Sequence, residues 1–575
     1  MIINFYQRLR YEFPQLTIGI CQRVSLTILG SLKGFKALKN YIHIPSEGDV
    51  QRGKYLTEGR YIFAGVNFDL DIENPWLIEI PSPEVEENLH GFCWLNDLAV
   101  LGNTKARNLA MHWMKRWDLY YSLGKKKEWE PYITASRSIN ILKNLRFLDG
   151  GAPMDRRGSA KLLWRQYKYL SFMVLVYPPG LKKVKVLFSI FLLAAAFGLS
   201  NRVQRKILKR LIRSVLVSFS VNGEMAGRSP EDFFEYFMIV IEILKFHETK
   251  NLLTNDNLES LQILKKAMAP VVRGLRLGDG SLTRTHGGDT GCAGLIDRYL
   301  VNSNVKSGPA FTDILGFERI NAGRLILIVD AAKPYQGLDS HNPHLSCLSF
   351  ELSSGQRPIF VNCGPGGRFG TAFRRYCRST QAHNSCTLGD LSQAQFEFIS
   401  RQKRWPKEIL TQGPKNVLVS REKTLEATWL NLSHDSYFDK YGFIHYRRLF
   451  VLNSGKVFTG TDIFETSKLR KQTDKRIDHF YAHFQLHPDV ELWDHPRLQT
   501  IILRLKNGEH WIFESDLGTV TIEESTYINS IISKPQSTKR IVIKSSTLLN
   551  KTEIKWSLRR REIVTRNTRD LNIVS

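Results

Sequence analysis

The sequence predicts a chain of two halves, helical hairpins followed by an antiparallel β-sandwich, and three observations carry that reading. Apolar residues recur at helical spacing through the first three hundred positions, as Leu98, Leu101, Leu109, Trp113, Trp117 and Tyr120 do. After about Ser307 the texture changes to short apolar or alternating runs between turn signals, with no helices between them, which favours a sandwich over a parallel sheet. With 575 residues, 42% of them hydrophobic and 11% aromatic, the chain can bury sizeable cores and is too apolar to be disordered.

Helices are predicted over 96–121, 138–147, 161–174, 184–199, 204–219, 230–246 and 257–268. Turn residues punctuate them, at Asp149-Gly150-Gly151-Ala152-Pro153 and Tyr177-Pro178-Pro179-Gly180, and Ser229-Pro230 reads as an N-cap followed by an N1 proline. No sequence period emerges, so the hairpins are not assigned to a repeat family. Strands are predicted over 324–329, 347–352, 358–361, 385–388, 416–419, 446–452, 456–462, 481–486, 500–505, 511–514, 519–523 and 540–543. Residues 302–309 form the linker.

Lysine and arginine exceed aspartate and glutamate by 81 to 55, a net charge of +26, so the surface concentrates polyanions; nucleic acid, acidic polysaccharide and anionic lipid all fit. No zinc-finger spacing, RNP-like strand or basic-zipper heptad supports nucleic acid. The seven cysteines contain no C-x-x-C pair and read as reduced, packed thiols, although Cys347, Cys363, Cys377 and Cys386 fall close enough in sequence to leave a bridge open. The N-terminus, with Arg8 and Arg10 ahead of an apolar stretch broken by Gln22, Arg23 and Ser25, does not read as a signal peptide. The most apolar run, 186–199, spans about 14 residues against the roughly 20 a bilayer needs, and is expected to be a buried helix.

Two histidine segments carry the functional reading: Asn342-Pro343-His344-Leu345-Ser346-Cys347-Leu348-Ser349-Phe350-Glu351-Leu352 and Tyr376-Cys377-Arg378-Ser379-Thr380-Gln381-Ala382-His383-Asn384. Imidazoles on neighbouring strand ends with an arginine between them form a site for an anionic sugar. The plain alternatives are that His383 braces a strand end, that His344 is structural, and that Arg378 pairs with a sandwich carboxylate. Likewise His90, Trp94 and Asp97 either pack a helical wall or touch sugar, and His286 lies on a Gly-rich loop, Thr285-His286-Gly287-Gly288-Asp289. Lys125 to Lys127 and Arg202 to Arg213 read as solvated helix faces or as a polyanion path.

The H-x-S-C-L-S-F-E-L type segment, the Val361-Asn362-Cys363-Gly364 segment and Arg378-Ser379-Thr380-Gln381-Ala382-His383-Asn384 together resemble the heparinase II/III-like polysaccharide lyases. Asn74-Pro75-Trp76 through Asp97 is similar to that family's entry to its helical ring, and Tyr441 to Leu449 to its mid-sandwich strand. The resemblance implies an N-terminal segment 1–75, an (α/α) toroid over 76–305 and a β-sandwich over 310–565. It implies β-elimination from a uronate-containing glycan, where stabilising the enolate is the largest demand and tyrosine and histidine act as acid and base.

At the matching positions the sequence departs from the family. Asn342 stands where a catalytic histidine is common, with His341 one residue earlier. His344 and His383 match histidine metal ligands, while Asn362 replaces an aspartate ligand and makes a poor zinc site. Asp232 falls where the catalytic tyrosine is expected, and Tyr236 is the nearest substitute one turn on. The expected site is therefore His344, Asn342, Arg378, Tyr236 and Asp232, with His344, Asn362 and His383 as a weak or absent metal site for an ion such as zinc. The partner is an acidic polysaccharide. Either elimination survives, or the chain is a degenerate glycan-binding or cell-envelope protein. Export stays open: the family implies the periplasm and the N-terminus does not show it.

Overall fold

The computed structural model describes residues 16–22, 24, 35–68, 74–121, 128–150, 156–219, 225, 227–336, 342–400, 407–466, 477–495, 500–516, 518–529, 534–546 and 548–561. Among these, His341, Lys125 to Lys127, Arg8 and Arg10 are not included. The helical half contains α1 (Val50–Thr57), α2 (Pro83–His90), α3 (Trp94–Leu101), α4 (Thr104–Tyr121), α5 (Pro131–Lys143), α6 (Arg156–Met173), α7 (Leu181–Ala196), α8 (Asn201–Val217), α9 (Pro230–Lys250), α10 (Asn255–Gly274) and α11 (Ala293–Asn302).

Local chemistry sets several of these boundaries. The single helix expected over 96–121 is two, because Gly102 at φ +65° ends α3 in the left-handed conformation that glycine adopts without a Cβ penalty. Helix α9 starts as read from the sequence: the Ser229 hydroxyl accepts from Asp232 N at 3.3 Å and Pro230 occupies the first turn. At the start of α5, Glu130 accepts from Ile133 N at 2.9 Å ahead of Pro131. Helix α7 is buried along its length from Val186 to Ala196, the expected core helix, and no helix among the described residues is long and apolar enough to cross a membrane.

The β half opens with the four-stranded sheet β1 (Phe317–Ala322), β2 (Leu325–Asp330), β3 (Phe350–Ser354) and β4 (Arg357–Phe360), in that order. Helix α12 (Thr371–Arg378), which the sequence reading missed, precedes β5 (Cys386–Leu388). A hairpin of β6 (Gln395–Ser400) and β7 (Lys407–Thr411) follows, then β8 (Val417–Lys423), β9 (Ala427–His434), β10 (Phe443–Leu452), β11 (Val457–Thr466), β12 (Phe480–Gln485), β13 (Glu491–His495), β14 (Thr500–Arg504), β15 (His510–Ser515), β16 (Thr519–Tyr527), β17 (Gln536–Lys544) and β18 (Lys551–Arg560). Eight of these build one antiparallel sheet, β8-β9-β10-β11-β18-β15-β14-β13, and four build another, β16-β17-β12-β5.

Between the sheets lies an aromatic core of Phe350, Phe360, Phe458, Phe484, Phe513 and Trp556. One buried ionic group braces it. Asp462 accepts from Arg447 Nε at 2.6 Å, Trp556 Nε1 at 3.0 Å and His445 Nε2 at 2.9 Å, and Arg447 Nη1 donates to the Leu348 and Asn384 carbonyls. Burial opposes ionisation of Asp462, but Arg447 and His445 outweigh it and hold the carboxyl well below its usual range.

The halves are joined by loop 283–290. Thr283 Oγ1, Arg284 N and the Arg284 guanidinium all bond Glu351 on β3, at 2.7, 2.9 and 3.1 Å. From the other side, Arg228, just ahead of α9, reaches into the sandwich: Nη2 meets Asp330 Oδ1 at 2.5 Å and Gly316 O at 2.8 Å, and Nε donates to Leu315 O at 2.7 Å.

Candidate functional site

His344 and His383, the imidazoles of the two histidine segments, meet at the junction, and His286 of the Gly-rich loop joins them in one hydrogen-bonded chain. Backbone Gly287 N donates to His344 Nε2 at 3.0 Å. A backbone amide is only a donor, so Nε2 carries the lone pair and the proton sits on Nδ1. That Nδ1 lies 3.0 Å from His383 Nε2, whose own Nδ1 is 2.7 Å from the Ser379 carbonyl, fixing His383 as acceptor from His344 and donor to Ser379. His286, held at φ +51°, accepts from His344 N through Nδ1 at 3.2 Å and turns Nε2 to within 3.2 Å of Asp330 Oδ2. All three rings are buried, and burial pushes each pKa down, His383 to about 4 and His344 well below its ordinary value.

These donors do not fit a metal ion. His344 has spent its lone pair on Gly287 and presents N–H toward His383. Asn362, in the third position, donates through Nδ2 to Arg284 O at 3.3 Å and accepts from Asn384 N at 3.4 Å. A zinc site needs deprotonated nitrogen or sulfur donors in tetrahedral array, and one lone pair beside an amide does not supply it. Cys386, His445 and Asp462 also converge, but the Arg447 guanidinium lies among them, 3.4 Å from Cys386 Sγ and 3.1 Å from Asp462 Oδ2. Cys363 and Cys377 approach to 3.4 Å between sulfurs, and both are free thiols.

The other expected residues divide. Arg378 takes the plain alternative: it is buried, donates to Pro343 O at 3.1 Å, faces Glu408 at 3.6 Å and lies over the Phe396 ring. Tyr236 belongs to the helical core, against Phe219 with 5.1 Å between ring centroids, its hydroxyl on Ser218 and its pKa pushed by burial up to about 12. His90 also packs, accepting from Trp117 Nε1 at 3.1 Å, and Asp97 pairs with Arg52 at 3.1 Å. Asn342 stays partly exposed, with Oδ1 3.4 Å from Arg374 Nη2, beside Gly287. Asp232 also keeps solvent access on the first turn of α9.

Around Asp232 the structure assembles a set of side chains that the sequence reading did not select. Lys185 Nζ on α7 bonds Glu235 Oε1 on α9 at 2.6 Å and the Tyr132 hydroxyl on α5 at 2.9 Å. Lys182 and Lys185 both lie over the Tyr132 ring, at 4.8 and 4.7 Å from its centroid. Tyr132 shares a further hydrogen bond with Glu87 of α2. Three helix N-termini, those of α5, α7 and α9, thus meet at one place, with positive macrodipole ends favouring an anion.

The titration of this wall is shifted by enclosure. Burial, with Glu235 adding to it, raises Asp232 to about 7, and burial with Asp289 raises Glu231 to about 8. Burial opposes charging Lys185, but Glu235 and Glu87 more than offset it and keep the ammonium protonated. Asp232 and Glu87 retain partial exposure while burial raises both, as it does for groups lining a concave wall. Glu231 connects the wall to the histidine chain, accepting from Asp289 N at 3.0 Å on the loop that also carries Gly287. The only sequence signal was three lysines, Lys182, Lys183 and Lys185, at the start of a helix that is otherwise mostly apolar, and a tyrosine just after a capped Pro131.

Residues 305–557, which hold the sandwich, match the model of the Heparinase II/III-like, C-terminal family. The full chain is similar to the crystal structure of heparinase III at 12% identity, covering 94% of this chain and 90% of that one with a TM-score of 0.65. It is similar also to heparan sulfate lyase HepC from Pedobacter heparinus at 12% identity, 96% and 88% coverage and a TM-score of 0.51. At such identities the likeness establishes the fold. A curated relative, FtsZ-localized protein C of Caulobacter vibrioides, is 23% identical over 545 residues, 90% of each chain.

Proposed function

We propose that the protein binds a uronate-containing glycan against the α5, α7 and α9 wall, as a relative of the lyases whose sandwich imidazoles do not perform elimination. One observation carries this reading: the ring nitrogens of His344 are both committed inside the protein, to Gly287 and His383, so the ring can neither take a proton from substrate nor hold a metal against its carboxylate. Lys182, Lys185 and the three helix N-termini support recognition of a carboxylated sugar, with the two lysines held over the buried Tyr132 ring. The localisation in the name of the Caulobacter relative supports a cell-envelope setting.

A second reading, retained elimination, rests on Tyr132. Its hydroxyl accepts from the Lys185 ammonium and is hydrogen-bonded to Glu87, and it serves as the acid for a leaving sugar oxygen only where substrate displaces Glu87. The test incubates the protein with heparin, heparan sulfate, hyaluronan and alginate, measuring affinity by calorimetry and unsaturated product by ultraviolet absorbance. Binding without absorbance supports the first reading. Absorbance that disappears in Tyr132→Phe supports the second, and neither binding nor absorbance with any of the four removes both.

A further inference from the structure

Between Asp155 and Glu224 the chain contains no aspartate or glutamate but fourteen lysines and arginines. This acid-free stretch holds α6, α7 and α8, and its charge is concentrated on α8. Helix α8 is sharply two-sided. Leu208, Leu211, Ile212 and Val215 are buried toward α7, whose stretch from Val186 to Ala196 is buried, which makes α8 an outer helix. On the opposite side Arg202, Arg205, Lys206, Lys209, Arg210 and Arg213 are all exposed, and none forms an ion pair among the described residues. Interrupting this row are apolar side chains left in water: Val203 at its start, and Leu216 and Val217 at its end, the last 71% exposed.

We propose that the outer face of α8 docks the protein onto the surface of an anionic phospholipid bilayer, lying parallel to it. Six cations along a 17-residue helix, about 25 Å of nearly straight rod, match a flat sheet of negative headgroups, where each lysine or arginine near the surface strengthens binding roughly fivefold. The apolar ends decide between polyanions. A sulfated glycan or nucleic acid satisfies the cations but gives Val203, Leu216 and Val217 no apolar environment, whereas a bilayer accepts them at the boundary between headgroups and acyl chains. The face lies on the outer side of the ring, so docking leaves the glycan wall on α5, α7 and α9 free.

The test is flotation of the full-length protein with vesicles of phosphatidylcholine alone and with 30 mol% phosphatidylglycerol (about one anion per three lipids). The expected result is binding only to the anionic vesicles, weakened by added salt. Arg205→Glu/Lys209→Glu/Arg213→Glu should lower the partition coefficient at least a hundredfold. A control with the same change of net charge on the sandwich, Lys423→Glu/Arg448→Glu/Lys539→Glu, should lower it less than tenfold. Unchanged circular dichroism and melting in both triple variants exclude unfolding as the cause. Val217→Ser, at a surface position, should weaken vesicle binding severalfold and leave retention on heparin unchanged. Equal loss in the two triple variants, equal binding to neutral vesicles, or an α8 variant that loses only heparin or DNA binding would overturn the proposal.

Discussion

His344 Nδ1 lies 3.0 Å from His383 Nε2, and each ring is locked from its other side by the backbone, His344 by Gly287 N and His383 by Ser379 O. The pair is therefore a neutral tie between the segment before β3 and the segment before β5. Two imidazoles that would serve as ligands elsewhere act here as consecutive links of a hydrogen-bond chain.

That tie makes stability depend on pH. His383 is neutral in the fold with a pKa near 4, while unfolding restores an ordinary value near 6.5. The unfolded chain thus binds more protons below about 6.5, so the stabilisation is complete above that pH and declines as pH falls toward 4, by about 3 kcal/mol for this residue. His344 acts in the same direction. Urea midpoints should fall between pH 7.5 and 5, and His383→Gln, less stable at pH 7.5, should show a shallower fall.

Joining the halves, Arg228 and Asp330 form a largely buried pair at 2.5 Å. Burial disfavours the Asp330 carboxylate, but Arg228 and His286 overcome it and hold its pKa well below the usual range. Arg228→Ala leaves that charge enclosed with only His286 and Ser346 beside it, a loss of about 3 kcal/mol. Scanning calorimetry should show one transition splitting into two as the helical half and the sandwich uncouple. A single unshifted transition would show that Glu351 and Arg284 alone hold the junction.

Glycan affinity should fall as pH rises from about 6 to about 8. Asp232, raised to about 7, is largely neutral at the lower value; once ionised it sets a negative charge beside the lysines that receive the sugar carboxylate. Asp232→Asn should remove the change centred near 7 and leave the later one from Glu231, near 8. Titration calorimetry across this range, on both proteins, measures it.

Lys185→Met removes the charge shared by Glu235 and Tyr132, and is expected to weaken glycan binding about tenfold, the scale of one charge-assisted hydrogen bond. His344→Gln, in the histidine chain, should lower melting temperature and leave affinity within about twofold at a temperature where it is folded. Added zinc should leave the wild-type melting temperature unchanged, since the donors at His344, His383 and Asn362 are engaged.

Periodicity and turn chemistry were sufficient for much of the fold. The apolar run of α7, the Ser229 cap and most strands were legible because each depends on neighbours in sequence. Strands β9 and β18 were missed: their polar alternation, as in Asn431, Ser433, Lys551 and Lys555, dilutes the apolar signal that pairing with β10 and β11 makes sufficient. Helix α12 was missed because its alternation of Arg374, Arg375 and Arg378 with Phe373 and Cys377 becomes helical only against the sandwich.

The sequence by itself determined that this is a helical half joined to a sandwich, that the protein is strongly cationic, and that two histidine segments fall in the sandwich half. Only the tertiary structure decided what those groups do. Whether an imidazole is a ligand or a link depends on which atom faces each ring nitrogen, and Gly287 N, 57 residues away in sequence, faces His344. Likewise Lys185 and Tyr132 are separated by 53 residues and carry no joint motif. Hydrogen bonding and desolvation act over a few ångströms of space, and the chain's order does not encode those distances.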